Sequence, residues 1–324
     1  MNKFTLLATV LSVTLASSAA LAEGETIALF TKNQTNPYFQ AVRLGAEAAA
    51  KTMNAKVVNY IPTKADSIPE QLSQIEDVIV KKPSAIVFIP VDYKAMVPGV
   101  EEINTAKIPM VNITDRSAGG TFLASVGADD YSLGRETARY ALSQMGGKGN
   151  VIILEGVKGA ISSIDRVRGF NDAIKEFKDV KLVASQPGNY QRLQALQVME
   201  NLLQAHPQID GVLAANDAMA LGAIEALDGA NRTAKIVGIN GTKEAIEAIK
   251  AGKLLASGDY DGFIQGCIGT MAAIRALRNQ PIVNEVILQP GVVNASNYQP
   301  HDIALEARPC PSWEQGVAMG AKQN

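Results

Sequence analysis

The feature that most constrains this chain is a regular alternation of short apolar runs with segments of helical spacing. The apolar runs cover residues 26–30, 57–60, 85–89, 108–113, 122–126, 151–154, 182–185, 212–215 and 235–239, with an extended piece at 255–260. Helical patterns cover residues 36–53, 68–79, 97–105, 132–145, 193–203 and 265–277. Strands that alternate with helices form parallel sheets with right-handed crossovers. We therefore predict an α/β fold of two doubly wound parallel-sheet lobes with a ligand cleft between them.

We expect the two lobes to be joined by a three-segment hinge, because the pattern suggests three crossings. These lie near Ala128-Asp129, Tyr260-Asp261 and Gln289-Pro290. The predicted N-terminal lobe is 23–128 plus 261–288, and the predicted C-terminal lobe is 129–260 plus 289–296. Residues 297–324 contain three prolines and little periodicity, so we expect an extended tail.

The first 22 residues have the composition of a cleaved secretory signal peptide. A short basic start, Met1-Asn2-Lys3, precedes an apolar run and the small-residue site Ala20-Leu21-Ala22. We expect a mature chain that begins near Glu23 and acts in the periplasm. No later stretch approaches the roughly 18 apolar residues of a membrane helix. The formal net charge of −2, with mixed signs, argues against nucleic acid as a partner.

Asp115 and Arg116 directly follow the apolar run 108–113, which has the character of a buried parallel strand. Open α/β sheets bind ligands at the carboxyl ends of their strands. Adjacent ionised groups make strong hydrogen bonds, and this suits a ligand with neighbouring hydroxyls. The alternative is a surface ion pair within a loop. If Asp115 binds the ligand, Asp115→Ala is expected to weaken binding and leave the melting temperature nearly unchanged.

Other polar and aromatic side chains follow strands in both halves of the chain. They are Asn36, Tyr38, Phe39, Arg166, Tyr190, Asn216 and Asn240. Amides donate and accept hydrogen bonds at once, as a hydroxyl does, and aromatic faces can cover a sugar ring. The alternatives stay open: Asn36 and Asn216 are typical helix caps, and Tyr38 and Phe39 are typical core residues. Arg166 could pair with Asp165 or Asp172 on a helix surface.

Signals for catalysis, metals or cofactors are weak, so we predict a binding protein without a catalytic, metal or cofactor site. His206 and His301 do not have the spacing of metal ligands. The chain contains no dinucleotide fingerprint, phosphate-binding loop, nucleophile elbow or HExxH motif. The two cysteines, Cys267 and Cys310, are an even number in an oxidising compartment, which permits one disulfide. Spacing alone does not decide between a disulfide and two thiols.

The strand-end residues together resemble the bacterial periplasmic sugar-binding proteins of the ribose-binding type, over about residues 26–294. The motifs that carry the resemblance are Asn36-Pro37-Tyr38-Phe39, Asp115-Arg116, Gln186-Pro187 with Tyr190, the run Asn216 to Ala223, and Val237 to Thr242. By this resemblance, Asn36, Tyr38, Phe39, Asp115, Arg116, Arg166, Tyr190 and Asn216 match positions that hold a sugar.

Four positions depart from the ribose-binding pattern. Ile89 stands where Asn is usual, Ile164 where Arg is common, Asn240 replaces an Asp, and Tyr260 replaces a Gln at the hinge. We include Ile89, Asn240 and Tyr260 in the predicted site. Because these changes remove groups that pair with hydroxyls, we expect a ligand other than ribose, such as a polyol, another pentose or a deoxy sugar.

The resemblance implies a binding protein that captures a small sugar or polyol by hinge closure. It would deliver this ligand to the permease of an ABC importer, and we expect a monomer. The alternative is a ligand sensor that docks on a chemoreceptor or a membrane kinase. An exported sugar-modifying enzyme is a further alternative, which turnover of a bound sugar would reveal.

Overall fold

The computed structural model describes residues 24–320, so the predicted signal peptide lies outside the described residues. Twelve strands are described: β1 Thr26–Phe30, β2 Lys56–Tyr60, β3 Ala85–Phe88, β4 Met110–Ile113, β5 Ala124–Ala128, β6 Lys148–Glu155, β7 Asp179–Pro187, β8 Gly211–Ala214, β9 Lys235–Ile239, β10 Ala256–Gly258, β11 Glu285–Leu288 and β12 Val292–Asn294. Ten α-helices accompany them: α1 Pro37–Thr52, α2 Ile68–Lys81, α3 Val97–Thr105, α4 Asp130–Gln144, α5 Ile161–Lys175, α6 Arg192–Ala205, α7 Asp217–Gly229, α8 Lys243–Lys250, α9 Gly262–Leu277 and α10 Trp313–Met319.

The strands form two six-stranded sheets, which confirms the predicted two-lobe α/β fold. The first sheet has the order β11-β5-β4-β3-β1-β2, and the second has the order β12-β10-β9-β8-β6-β7. All neighbours pair in parallel except β12, which pairs antiparallel with β10. We call the lobe built on the first sheet the N-lobe and the other the C-lobe.

The chain passes between the sheets after β5, after β10 and between β11 and β12. One edge strand of each sheet is short and was not revealed by the sequence pattern. It is β11, beside β5, in the N-lobe and β12, beside β10, in the C-lobe. Three crossings on one side leave the opposite side of the cleft free to open. The exact residues at which one lobe ends and the other begins stay a prediction.

The packing explains why the strands are short and apolar. Strand β3 has four residues and is buried throughout, because helices cover both faces of the sheet. In the N-lobe, α1 and α9 pack side by side on one face. The partners α4 and α5 do the same in the C-lobe. Gly45 sits where α1 meets α9, and a Cβ there would lie 2.0 Å from the carbonyl oxygen of Phe263.

The predicted extended tail is partly wrong. Residues 299–301 and 305–307 form short 3₁₀ turns, and α10 ends the described segment. Ser312 caps α10, and the Gln315 side chain accepts from the Ser312 backbone N–H in return. This reciprocal cap is a recognisable helix-start signal. Helix α10 packs on α9 and β11 of the N-lobe.

Cys267 of α9 and Cys310 of the tail form a disulfide, with 5.7 Å between their Cα atoms. This geometry decides the question that the spacing left open. Cys267 is fully buried in the N-lobe core, so the tail is covalently attached to a core helix.

We predict that reduction of this disulfide lowers the free energy of unfolding by at most about 4 kcal/mol, the loop-entropy value for a separation of 43 residues. Urea unfolding with and without dithiothreitol measures the change. The double variant Cys267→Ala/Cys310→Ala is the control and should not respond to the reductant. An unchanged unfolding midpoint in the reduced wild type would contradict the prediction.

Candidate functional site

The carboxyl ends of the strands in both sheets face one another across a cavity. Its lining comes from both lobes: Lys32, Asn36, Tyr38, Phe39, Thr114, Asp115, Ser162, Arg166, Tyr190, Asn216, Asn240 and Tyr260. The cavity volume is about 20 Å³, close to that of a single water-sized sphere. The two walls therefore nearly touch, and entry of a ring-sized molecule requires the lobes to separate.

A buried ion pair forms the N-lobe wall. Lys32 follows β1 by two residues, Asp115 follows β4 by two, and the two side chains are 2% and 4% exposed. The Lys32 ammonium contacts one Asp115 oxygen, and the other oxygen accepts a hydrogen bond of 3.0 Å from the Ser162 backbone N–H of the C-lobe. Burial alone would raise the pKa of Asp115, but Lys32 and this N–H outweigh it and hold the pKa below its usual range.

A second buried ion pair lies at the C-lobe wall, where Arg166 lines the cavity and its partner Asp130 lies outside the lining. The Arg166 Nε–H donates to Asp130 over 2.7 Å, and Nη1 donates to the Ala215 carbonyl at 2.8 Å and to Asn240 Oδ1 at 3.2 Å. The guanidinium also lies 4.4 Å from the ring centre of Tyr260. Burial raises the pKa of Asp130 to about 6, although Arg166 opposes the shift. The alternative that Arg166 lies on a helix surface is therefore wrong.

Two tyrosines are tied to the backbone turn that carries Asp115. The Tyr38 hydroxyl is 2.9 Å from Thr114 Oγ1, and the Tyr260 hydroxyl donates to the Thr114 carbonyl over 3.0 Å. Their ring centres are 5.5 Å apart. Burial raises the pKa of both hydroxyls well above their ordinary value, so they stay protonated and can donate at neutral pH.

Three residues that line the cavity have a strained backbone. Thr114, Tyr190 and Asn240 have positive φ angles of 66°, 59° and 136°. A residue other than glycine in this region costs about 1–3 kcal/mol, more so when it is β-branched like Thr114. Strain of this kind persists where the surrounding contacts fix the backbone, and it is frequent at ligand sites. It supports a binding role for this cavity independently of the residue types.

The structure brings together nine of the predicted residues: Asn36, Tyr38, Phe39, Asp115, Arg166, Tyr190, Asn216, Asn240 and Tyr260. Asn36 and Asn216 also cap α1 and α7, because their side-chain oxygens accept from the backbone N–H groups of Tyr38 and Met219. Capping and cavity lining are thus compatible, since the cap of a helix that follows a strand lies at the strand end. The ligand-binding roles themselves stay predictions.

The structure does not place Arg116 or Ile89 in this cavity. Arg116 is 65% exposed and pairs with Asp165 of the C-lobe at 2.9 Å, whereas the adjacent Asp115 is buried in the cavity. Ile89 is fully buried in the N-lobe core outside the lining. Ile164 is 48% exposed, so its departure from the ribose-binding pattern removes no group from the cavity.

Sequence reasoning missed Lys32, Thr114 and Ser162, which all line the cavity. A signal existed for Lys32, which follows a fully apolar strand and precedes the Asn36-Pro37 motif. The residue type itself argues against a place in the cavity, since lysine is rarely buried unless it is paired. Nothing local distinguishes Ser162 from a solvated helix residue.

Residues 24–320 contain neither a metal-binding cluster nor a membrane-spanning helix. No cluster of three or more histidine, cysteine or carboxylate side chains is arranged to hold a metal ion there. In the same residues, no helix is long and apolar enough to cross a membrane.

Comparison with known proteins decides the family. A family model described as a periplasmic binding protein domain matches residues 27–281. The chain belongs to this family. The chain is 29% identical to a ribose import binding protein of Haemophilus influenzae, over 91% of this chain and 100% of that protein. It is 28% identical to a xylitol-binding protein of Mycolicibacterium smegmatis, over 81% of this chain and 74% of that protein. The solved structure of a solute-binding protein of Actinobacillus succinogenes with bound D-allose is 34% identical in sequence and has a TM-score of 0.80. The match covers 85% of this chain and 99% of that chain.

The pKa of Asp130 predicts a pH effect on the stability of this periplasmic binding protein. An Asp in the unfolded chain ionises near pH 4, whereas Asp130 holds its proton to about pH 6. Between these values the folded state binds more protons, so the free energy of unfolding falls as pH rises, by about 3 kcal/mol in total. Above pH 6 this contribution is fully lost.

Asp130→Asn mimics the protonated side chain at every pH and should lose this part of the dependence. The measurement is the unfolding free energy of wild type and variant, by urea, from pH 4 to 7. Asp217 and Asp259, whose pKa values burial also raises to about 6, are present in both proteins, so the variant should lose only the part of the dependence that Asp130 supplies. Exposed Asp179→Asn is the matched control. Parallel curves for wild type and Asp130→Asn would contradict the assignment.

The Lys32–Asp115 pair changes the expectation for Asp115→Ala. Removal of Asp115 leaves a buried, unpaired ammonium, so we now expect a loss of about 3–5 kcal/mol in the unfolding free energy. The double variant Lys32→Met/Asp115→Ala removes both charges and should recover most of that loss. Urea unfolding of the single and double variants measures the coupling.

The corresponding changes at the exposed pair Lys253–Asp228 are the control, and their coupling should be below about 1 kcal/mol. Equal destabilisation by Asp115→Ala and by the double variant would show that Lys32 does not depend on Asp115.

Proposed function

We propose that this chain is the periplasmic solute-binding component of an ABC importer. It captures a small, uncharged sugar or polyol between its lobes and presents it to the membrane permease. Membership of the periplasmic binding protein family and the import role named for the Haemophilus relative support this proposal. The family is one of solute-binding proteins, which supports capture without turnover. The same relatives favour import over the alternative of a signalling sensor.

The observation that carries the proposal is the charge balance of the cavity. Each cation at the cavity is paired with a carboxylate: Lys32 and Asp115 both line the cavity, and Arg166 lines it while its partner Asp130 lies outside the lining. A charged ligand would find no unpaired opposite charge, whereas a hydroxyl can donate to a carboxylate and accept from a cation at once. The tyrosine and asparagine side chains add further donors and acceptors.

Contacts across the cleft show how closure encloses the site. The Tyr93 backbone N–H donates to the Gly159 carbonyl over 2.9 Å, and Arg116 pairs with Asp165 on the rim. The Ser162–Asp115 hydrogen bond lies within the cavity itself. Each contact joins the two lobes, so separation of the lobes breaks all of them. A ligand that adds contacts to both walls shifts the equilibrium towards closure.

The choice of ligand follows from the departures that face the cavity. Asn240 and Tyr260 line the cavity, whereas Ile89 and Ile164 do not. Lys32 adds a buried cation to the same lining. Unpaired hydroxyls in a closed cavity cost about 1–3 kcal/mol each, so exchanged partners change the preferred hydroxyl pattern. We propose a polyol, another pentose or a hexose such as allose ahead of ribose.

A thermal-shift screen tests this function. The panel is D-ribose, D-allose, D-arabinose, xylitol and myo-inositol, each at 1 mM. A ligand present at 100 times its dissociation constant stabilises the folded state by about 2.7 kcal/mol. We expect at least one compound to raise the melting temperature, with calorimetry showing ribose as the weaker ligand.

Tyr190→Phe is the binding-site variant for the hit, because it removes only the hydroxyl that lies 3.1 Å from Ser162 Oγ. Tyr140→Phe, on a partly buried face of α4, is the matched control. No stabilisation by any compound would contradict the function, and equal affinity for ribose would contradict the ligand preference.

A further inference from the structure

The C-terminal segment, residues 297–320, makes a fourth connection between the lobes. We call it the strap. It leaves the C-lobe after β12, which is paired in the C-lobe sheet. It ends in α10, which packs on α9 and β11 of the N-lobe. The family model stops at residue 281, so the strap lies outside the matched domain.

The first part of the strap is anchored to the C-lobe. Lys250, the last residue of α8, pairs with Asp302 at 2.6 Å, and its ammonium lies 5.8 Å from the ring centre of Tyr298. His301 Nε2 is 3.9 Å from a carboxylate oxygen of Asp259, which directly follows β10. These contacts join the strap to a helix and to a strand end of one lobe.

The second part of the strap is anchored to the N-lobe. Arg308 forms an ion pair with Asp261, and its guanidinium lies 5.1 Å from the ring centre of Phe263. Asp261 is itself part of the second crossing and caps α9 through the Ile264 backbone N–H. The disulfide to Cys267 follows two residues after Arg308. The N-lobe attachment is therefore covalent and lies beside the hinge.

Between these anchors the strap spans a gap between the lobes. Its residues Leu305, Glu306 and Arg308 wall a pocket of about 230 Å³. The first turn of α1, from the N-lobe, and residues 240–244, from the C-lobe, line the same pocket. Its opposite walls thus belong to different lobes, and rotation of the lobes must change the distance that the strap spans.

The strap has little slack for such a change. Asp302 and Cys310 are eight positions apart (310 − 302 = 8), and a 3₁₀ turn at 305–307 shortens this segment. Leu305 packs against the core. A rotation that lengthens this span acts on the 3₁₀ turn and on the Lys250–Asp302 contact.

We propose that the strap restrains the opening of the lobes. It thereby raises the population of unliganded molecules whose lobes are close enough to shut on a ligand, which we call the closed-ready arrangement. Arg308 and the disulfide act as positioning residues, because they fix the strap beside the hinge without touching the ligand cavity. The effect on affinity rests on the proposed function. The effect on lobe opening does not.

Small-angle scattering of the unliganded protein tests the restraint. The variants are Arg308→Gln, which keeps the disulfide, and Cys267→Ala/Cys310→Ala, which detaches the strap. We expect a larger radius of gyration in both than in wild type, for which about 19 Å is typical of 300 residues. Arg192→Gln, which removes an ion pair to Glu225 within the C-lobe, should leave the value unchanged.

Near-ultraviolet circular dichroism establishes whether each variant is folded. If the cysteine variant does not fold, wild type reduced with dithiothreitol takes its place in the scattering measurement. Folded strap variants with the wild-type radius would overturn the proposal. For xylitol or D-allose, if either binds, a tenfold fall in the closed-ready population should raise the apparent dissociation constant tenfold. Failure of every panel sugar would contradict the proposed function but leave the scattering result valid.

Discussion

The burial of two ion pairs beside the cavity is the constraint on which the rest of the site depends. A buried charge is tolerated only with a partner and further hydrogen bonds. Lys32 and Asp115 meet this condition in the N-lobe, and Arg166 and Asp130 meet it in the C-lobe. The first pair needs β1 and β4 to end at matching levels, and the second needs α4 and α5 to pack side by side, so the packing of the fold and the chemistry of the cavity are specified together.

The turn at Thr114 links this chemistry to the hinge. Its strained backbone directs Asp115 inwards and receives the Tyr260 hydroxyl, which comes from the second crossing between the lobes. Tyr260 also lies beneath the Arg166 guanidinium of the C-lobe. A single aromatic side chain thus contacts the charge-bearing elements of both lobes. A change in the relative position of the lobes must alter these contacts, which couples cavity geometry to hinge angle.

The fold was predictable from the sequence because apolar runs and helical spacing are local signals. The cavity lining was predictable where an amide follows a strand within two residues, as for Asn216 and Asn240, or caps the helix after the strand, as for Asn36. It was not predictable where neighbouring side chains point in different directions, since Asp115 lines the cavity and the adjacent Arg116 pairs with Asp165 at the rim. Lys32 was missed because its partner lies 83 residues away in the chain (115 − 32 = 83). The short strands β11 and β12 depend on equally distant partners, so local spacing did not reveal them.

The most direct test of a charge-balanced cavity is calorimetric titration with a neutral ligand and its acid. Xylitol would be compared with xylonate, in which a carboxylate replaces a terminal hydroxymethyl group. Allose, if it is the ligand that binds, would be compared with allonate, in which a carboxylate replaces the aldehyde carbon. The account predicts that the neutral compound binds at least tenfold more tightly than the anion, because the cavity offers no unpaired cation. Equal or tighter binding of the anion would contradict it.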